Sequence, residues 1–272
     1  MLAGSMVGIF GIVNITRDSF SDGGRWLEPA AAIAHAERLL AAGADVLDLG
    51  AESTHPDAEF VAADDELRRL VPVVDALLAR AATVSIDSRQ PPVMAALLAR
   101  GVHWWNDIAG FQSPAAMAVA AAAPPHVRFV AMFQRGGAGK AARAELGAEG
   151  VVEAFAAFAA ERIAAFAAAG IARERLVLDP GMGFFLARAA APSLRVLHHL
   201  GALQQRWGPL LVSVSRKSFV GEVTGQPLGE RGPGSLAAEL AAVRAGVAFV
   251  RTHDVAALRA GVAMQAAIDA AR

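Results

Sequence analysis

Eight short apolar runs punctuate the chain, at 7–13, 45–49, 83–86, 102–105, 128–133, 176–178, 210–214 and 247–251. Several, such as VGIFGIV and LLVSV, are apolar almost without a break. Runs of that kind are expected of strands covered on both faces, as in a parallel sheet. Each of the first seven is followed by a helical stretch, and the eighth by VAALRAGVAMQAAIDAA at 255–271. Alanine, the best helix former, fills stretches such as EPAAAIAHAERLLAAGA and EAFAAFAAERIAAFAAAG. Strand–helix alternation implies parallel βαβ units, and eight of them in 1–272 predict a single (β/α)8 barrel domain. A doubly wound open sheet is the alternative, although no G-x-G-x-x-G follows the first run. Trp104 and Trp105 alternate faces, so one is expected inside the barrel and the other against a helix. Phe155, Phe158 and Phe166 are spaced to face either the barrel wall or a second copy of the chain.

Composition narrows the function classes. The formal net charge is −1, so no polycationic affinity for nucleic acid or anionic membrane is implied. There are no cysteines, which excludes disulfides, a thiolate nucleophile and Cys-ligated metal. The first residues, MLAGSMVGIF, lack a basic region and a long apolar core, which predicts no signal peptide. AAMAVAAAAPP is stopped by Pro124–Pro125 and does not read as a membrane span. A cytoplasmic protein acting on small molecules is the expectation.

The chemistry sits at strand ends. The first run leads to Asn14, the second to Glu52, Ser53 and Thr54, the third to Asp87, and the fourth to Asn106 and Asp107. The sixth ends at Asp179, the seventh at Ser215, Arg216 and Lys217, and the eighth at Arg251 with His253 beyond. In a barrel these positions share the C-terminal rim, where barrel enzymes carry their active sites. Any one of them could be an ordinary loop cap; seven in one register are harder to explain that way. Asp87, Asp179, Asn106 and Lys217 suit a flat heterocycle with several donors and acceptors. Arg251, His253 and Asn14 suit a phosphate or pyrophosphate with Mg²⁺, and Asp22 is a candidate metal or cation partner. Long loops at 14–26, 52–65 and 134–148 follow strands and are candidate lids or binding loops.

Seven segments carry a family resemblance: GIVNITRDSFSDGG, DLGAESTHPDA, SIDS, NDI, LDPGMGF, SVSRKS and VRTHD. In this order and spacing, the chain resembles dihydropteroate synthases along nearly its whole length. These enzymes join 6-hydroxymethyl-7,8-dihydropterin pyrophosphate to p-aminobenzoate. The resemblance implies that Asp87, Asn106, Met132, Asp179 and Lys217 bind the pterin. It implies that Asn14, Thr54, His55, Arg251 and His253 meet the pyrophosphate, with Asn14 on Mg²⁺. Phe20, Pro56, Phe184, Ser215 and Lys217 match the pABA pocket, and Asp22 lies on the loop near the reacting carbon. Asp22, Asp87, Lys217, Arg251 and His253 are thus the expected catalytic residues. The family is commonly homodimeric. Ser218 is expected to cap the helix after the seventh strand.

The chain also departs from the usual family pattern. His55 stands where an arginine is usual, Phe133 where histidine is usual, and Phe185–Leu186 where glycine and a polar residue are common. NDIAGF, LDPGMGFFLA, GPGSLAAEL and VRTHD resemble the sulfonamide-resistance branch more than housekeeping enzymes, whereas GAEST and SFSDGG keep the housekeeping pattern. The expectation is a sulfonamide-insensitive synthase in which Phe185 reshapes the pABA wall. The alternatives are a drug-sensitive housekeeping enzyme, a pterin-dependent methyltransferase, which needs no pyrophosphate group, or a non-catalytic pterin-binding protein.

Overall fold

The structure is a computed structural model that describes residues 7–15, 29–52, 60–134 and 147–271. Eight strands form one sheet: β1 (Gly8–Asn14), β2 (Val46–Gly50), β3 (Val84–Asp87), β4 (Trp104–Asp107), β5 (Arg128–Met132), β6 (Leu176–Asp179), β7 (Leu211–Val212) and β8 (Phe249–Thr252). All pairings are parallel, in the order β6-β5-β4-β3-β2-β1-β8-β7. The two ends of that order meet at a parallel bridge between Leu178 and Leu210, and the Leu178 N–H donates to Pro209 O at 3.1 Å. The sheet therefore closes into a barrel, which decides against the open-sheet alternative.

Helices α1 (Pro29–Ala41), α2 (Ala63–Leu78), α3 (Pro91–Leu98), α4 (Pro114–Ala122), α5 (Val151–Ala168) and α6 (Ala190–Trp207) follow the first six strands in turn. The seventh strand is followed by a short α7 (Ser218–Thr224) and α8 (Gly232–Arg244), and the eighth by α9 (Val255–Ala270). Local chemistry explains several starts. Asp64, Asp65 and Glu66 place negative charge in the first turn of α2, where the helix dipole favours it. Ser113 Oγ accepts the Ala116 N–H at 3.0 Å with Pro114 opening α4. Asp254 Oδ1 accepts the Ala257 N–H at 3.0 Å and caps α9. Ser218 does not cap α7; Lys217 holds the cap position without a side-chain bond, and Ser218 is already helical. No described helix is long and apolar enough to cross a membrane.

The outward faces of the strands, including Ile9, Leu47, Ile86, Trp105, Phe129 and Leu178, pack with the helices in one large core. Phe155 and Phe166 of α5 are fully buried there, and Phe158 nearly so, so these rings face the barrel. The inward faces form a second, smaller core of Phe10, Val46, Trp104, Val130, Val177 and Leu211, with Phe249 against it. Its rings meet edge to face: Phe10–Trp104 at 5.1 Å and Trp104–Phe249 at 5.3 Å. The Arg128 guanidinium lies over Trp104 at 4.2 Å. The two tryptophans thus divide as their alternation predicts.

Candidate active site

Two residues beyond the inner apolar layer, each strand presents its next inward position. On β2 that is Asp48 after Val46, on β4 Asn106 after Trp104, on β5 Met132 after Val130, on β6 Asp179 after Val177, and on β8 Arg251 after Phe249. Asp87 ends β3 and Asn14 ends β1. Parallel strands put all of these at the C-terminal mouth, so one register gathers the site.

A continuous polar chain crosses the mouth. Arg251 Nε donates to Asp48 Oδ2 at 2.5 Å, and Arg251 Nη2 donates to Asp87 Oδ2 at 2.8 Å. Asn106 Nδ2 donates to the same Asp48 oxygen at 3.2 Å. Four strands are joined by these bonds. Asp48 is fully buried, and it lies outside the residues expected from the strand ends. It sits in the middle of DVLDL rather than after it. The available signal was its period: a carboxylate two residues after an inward valine must point inward too. Asp48 Oδ1 and Asn106 Oδ1 are both buried without a partner among the described residues. Two orphaned acceptors at a barrel mouth fit a ligand edge that carries N–H donors.

Charge is expensive here, and the shifts show it. Burial pushes Asp87 up, opposed by Arg251 and reinforced by Asp48. Burial raises Asp179 to about 6 against the pull of Lys217, and lowers Lys217 to about 8 against the pull of Asp179. Lys217 Nζ lies 4.7 Å from the centre of the Phe185 ring. That ring packs with Ile108 and Met132. His253 is pushed down to about 3 by burial and by Arg216, Arg251 and Lys217, so its ring is neutral. Its Nδ1 lies 3.0 Å from Ser215 Oγ, which also accepts the His253 backbone N–H at 3.2 Å.

Loop geometry places the remaining groups. Gly181 has φ +69°, and a Cβ there would meet Phe133 O at 2.2 Å, so the turn after Asp179 requires glycine. Asp179 Oδ1 accepts the Gly181 N–H at 2.7 Å, fixing its carboxyl. Arg216 sits at φ +58°, a strained conformation for a side-chain-bearing residue. Its N–H donates to Ser235 Oγ at 2.9 Å, and Arg231 Nη1 donates to its carbonyl at 3.0 Å. These bonds hold the turn that aims Ser215 and Lys217 inward. Arg231 and Ser235 carry no signal as single residues in the sequence; only the fold brings them to that peptide.

Not every expected residue joins the site. Asp107 accepts the Ala109 and Phe111 N–H groups at 2.8 and 2.7 Å and serves as a turn cap. Glu52 pairs with Arg89 at 3.1 Å. Phe184 is 38% exposed beside the buried Phe185 and so stays accessible to a ligand, whereas Leu186 belongs to the outer core. Phe133 packs against Phe155 and Phe158 at 6.1 and 5.4 Å, so the ring that replaces the usual histidine is matched by aromatic partners on α5. Phe20, Asp22, Thr54, His55 and Pro56 lie outside the described residues. No group of three or more metal-binding side chains occurs among the described residues. The mouth instead offers the neutral amide Asn14, at the end of β1 beside β8. That donor set fits a Mg²⁺ ion held mainly by phosphate oxygens and water.

Comparison with known proteins agrees with this geometry. The family model for pterin binding enzymes matches residues 10–253. The chain is 51% identical over 247 residues to the dihydropteroate synthase type-2 of Escherichia coli, covering 90% of each. It is 46% identical over 250 residues to the type-1 enzyme of the same organism, covering 91% of this chain and 89% of the relative. Among solved structures, the Xanthomonas albilineans dihydropteroate synthase with 4-aminobenzoic acid superposes with a TM-score of 0.89 at 39% identity. That match covers 98% of this chain and 94% of the other.

Proposed function

The chain belongs to the dihydropteroate synthase family of transferases, and from that premise we propose how its own residues run the reaction and resist sulfonamides. The substrates are 6-hydroxymethyl-7,8-dihydropterin pyrophosphate and p-aminobenzoate. The observation that carries this reading is the inward cluster of Asp48, Asp87, Asn106, Asp179, Lys217 and Arg251, with its two orphaned acceptors. Asp48, Asp179 and Asn106 bind the donor edge of the pterin, and Met132 packs on its face. Lys217 serves the pterin carbonyl and ring nitrogen while its stem borders the p-aminobenzoate pocket of Phe20, Pro56, Phe184, Phe185 and Ser215.

Pyrophosphate leaves from the pterin methylene, and the C–O electron pair goes with it. Arg251, His253 and Asn14, with Thr54 and His55, receive the leaving group. Asn14 would hold Mg²⁺ together with the pyrophosphate, and the ion would supply positive charge to that leaving group when bound. The electron-rich pterin carries the resulting cation, and Asp22 on the first loop shields it from water. The aniline nitrogen, held in line, forms the new C–N bond and then releases a proton to solvent. No strong base is required, because an arylammonium is acidic.

Sulfonamide insensitivity rests on Phe185. Its ring packs with Met132 and Ile108 and lies 4.7 Å from the Lys217 ammonium, next to the residues assigned to the pterin and p-aminobenzoate. p-Aminobenzoate has a planar carboxylate; a sulfonamide is tetrahedral there and carries a further substituent. A clash felt only by the drug is worth about 1–3 kcal/mol, or roughly 10–200-fold in discrimination. The test is dihydropteroate formation with Mg²⁺ under titration with sulfamethoxazole. Turnover that persists well above the p-aminobenzoate concentration is the expected result, whereas inhibition at comparable concentration defeats the resistance reading. We also propose a homodimer and a cytoplasmic location. With the α5 rings facing the barrel, a dimer would draw on exposed apolar residues elsewhere, such as Leu194, Val223 and Leu228 around α6 and α7 or Met264 and Ile268 on α9. Light scattering at micromolar concentration checks it.

A further inference from the structure

One strand-end carboxyl is unused by the reaction just described. Glu52 follows β2 and opens the second loop, and it pairs with Arg89, two residues after Asp87. The pair is side-on: Arg89 Nε donates to Glu52 Oε2 at 3.3 Å, and Nη2 donates to Oε1 at 3.1 Å. Both side chains are largely shielded, at 20% and 11% exposed. Such an ion pair adds little net stability over apolar packing, but its two parallel bonds fix direction as well as distance.

The next residue holds the other end of the same loop. Gln90 Nε2 donates to Val61 O at 3.0 Å, and also to Glu66 Oε2 in the first turn of α2. Gln90 occupies the cap position of α3, yet its side chain makes no bond to that helix. Ser, Thr, Asp or Asn would serve better as a cap, so the amide is committed to the loop instead. The Arg89 guanidinium also lies 5.5 Å from the centre of the Phe60 ring. Two consecutive residues thus grip the chain at Glu52 and at Phe60–Val61, the two roots of the segment that carries Thr54, His55 and Pro56. From α2, Arg69 Nη1 adds a bond to Ala51 O at 2.9 Å.

The grip is itself anchored to the barrel. The Ser88 N–H donates to Asn106 O at 3.1 Å, and Trp105 Nε1 donates to Ser88 O at 2.9 Å. Ser88 Oγ accepts the Gln90 N–H at 3.2 Å, and Pro91 and Pro92 then open α3 with their φ angles fixed. Asp87 at the mouth and both roots of the second loop are therefore held by one stiff turn.

We propose that Arg89 and Gln90 are positioning residues that set the second loop toward the leaving group and so govern pyrophosphate binding. The proposal rests on the reading of Thr54 and His55 as pyrophosphate contacts. The pterin ring is assigned to Asp48, Asn106 and Asp179 on the strands, so its binding is expected to be independent of the clamp.

The test is calorimetric titration of the full chain with two probes, inorganic pyrophosphate with Mg²⁺ and 6-hydroxymethylpterin. Arg89→Met should weaken pyrophosphate about tenfold and leave the pterin within about twofold. Gln90→Met should weaken pyrophosphate about threefold, and Arg89→Lys, which keeps one charged contact to Glu52, should stay within about threefold of wild type. An Arg89→Met, Glu52→Gln double variant should bind pyrophosphate no more weakly than Arg89→Met alone. Unchanged pyrophosphate affinity in Arg89→Met overturns the proposal, as does additivity in the double variant. So does an equal loss of both probes, which marks a general structural role. A wild-type protein without pyrophosphate affinity overturns it together with the Thr54 and His55 contacts. One that binds both probes but makes no dihydropteroate defeats the reaction reading and leaves the clamp to be judged on binding.

Discussion

The floor and the mouth of the barrel are built by the same strands on the same inward face, two residues apart. Val46 lies below Asp48, Trp104 below Asn106, Val177 below Asp179 and Phe249 below Arg251. The floor is apolar and aromatic, with Arg128 stacked on Trp104 and only the small, buried Ser85 hydroxyl as a polar group at its level. The mouth is almost as well buried, yet it carries carboxylates, an amide, an ammonium and a guanidinium. Burial therefore does not separate the two layers; what each buried group touches does. In the floor, stability comes from apolar area and edge-to-face rings. In the mouth, charges are kept out of water so that they act strongly on a ligand, and their desolvation is only partly offset by pairing.

Removing the shared cation of the mouth should show the largest effect. Arg251→Met leaves Asp48 and Asp87 facing each other, and kcat/KM for dihydropteroate formation should fall by at least about 10³-fold, some 4 kcal/mol. Retention of activity within tenfold would mean that the mouth is a structural layer like the floor. The complementary change is Trp104→Ala. It should cost about 3–5 kcal/mol in urea unfolding, while kcat per folded molecule stays within about fivefold. A selective loss of activity with intact stability would show that the floor shapes the site directly.

Phe185→Ala tests the seam between the pterin and p-aminobenzoate pockets. Sulfamethoxazole should then inhibit at roughly 10–200-fold lower concentration, with a smaller change in KM for p-aminobenzoate. Equal drug sensitivity in both proteins would assign Phe185 to packing alone. The smallest effect concerns the layer behind the mouth. Burial raises the Glu66 carboxyl from 4.5 to about 7, opposed by hydrogen bonds from Ser88 and Gln90. Below its unfolded value the group is protonated in both states and costs nothing; above about pH 7 it is ionised in both and the full burial penalty applies. Glu66→Gln should therefore raise the melting temperature little at pH 4 and most at pH 8. A gain that is largest in acid would reverse the assignment.

Most of the architecture was legible from pattern. The runs at 7–13, 45–49 and 83–86 are displaced by one residue from β1, β2 and β3. The run at 102–105 is displaced by two from β4, because Gly101, at φ +96°, and Val102 belong to the turn that enters the strand. The seventh run shortens to Leu211–Val212, since Ser213 to Lys217 leave the ladder for the mouth. Asn14, Asp87 and Asp179 end their strands, Asn106 and Arg251 lie one residue before the ends of β4 and β8, and Ser215, Lys217 and His253 follow strands, close to the expected places; Met132, known only from the family resemblance, ends β5. Asp48 escaped because it does not end a strand: it is hidden inside an apolar run.

The sequence by itself determined the strand–helix repeat, the inward and outward alternation, and the set of polar residues at the strand ends. Those are consequences of local stereochemistry and of periods of about two and 3.6 residues, which nearest neighbours along the chain suffice to set. Only the tertiary structure decided closure over an open sheet, the joining of Asn106, Asp48, Arg251 and Asp87, and the strained turn held by Arg231 and Ser235. Those depend on register between strands up to 203 positions apart in the chain, as Asp48 and Arg251 are. Hydrogen bonds between such distant groups follow from how the sheet curls, and no local pattern encodes that.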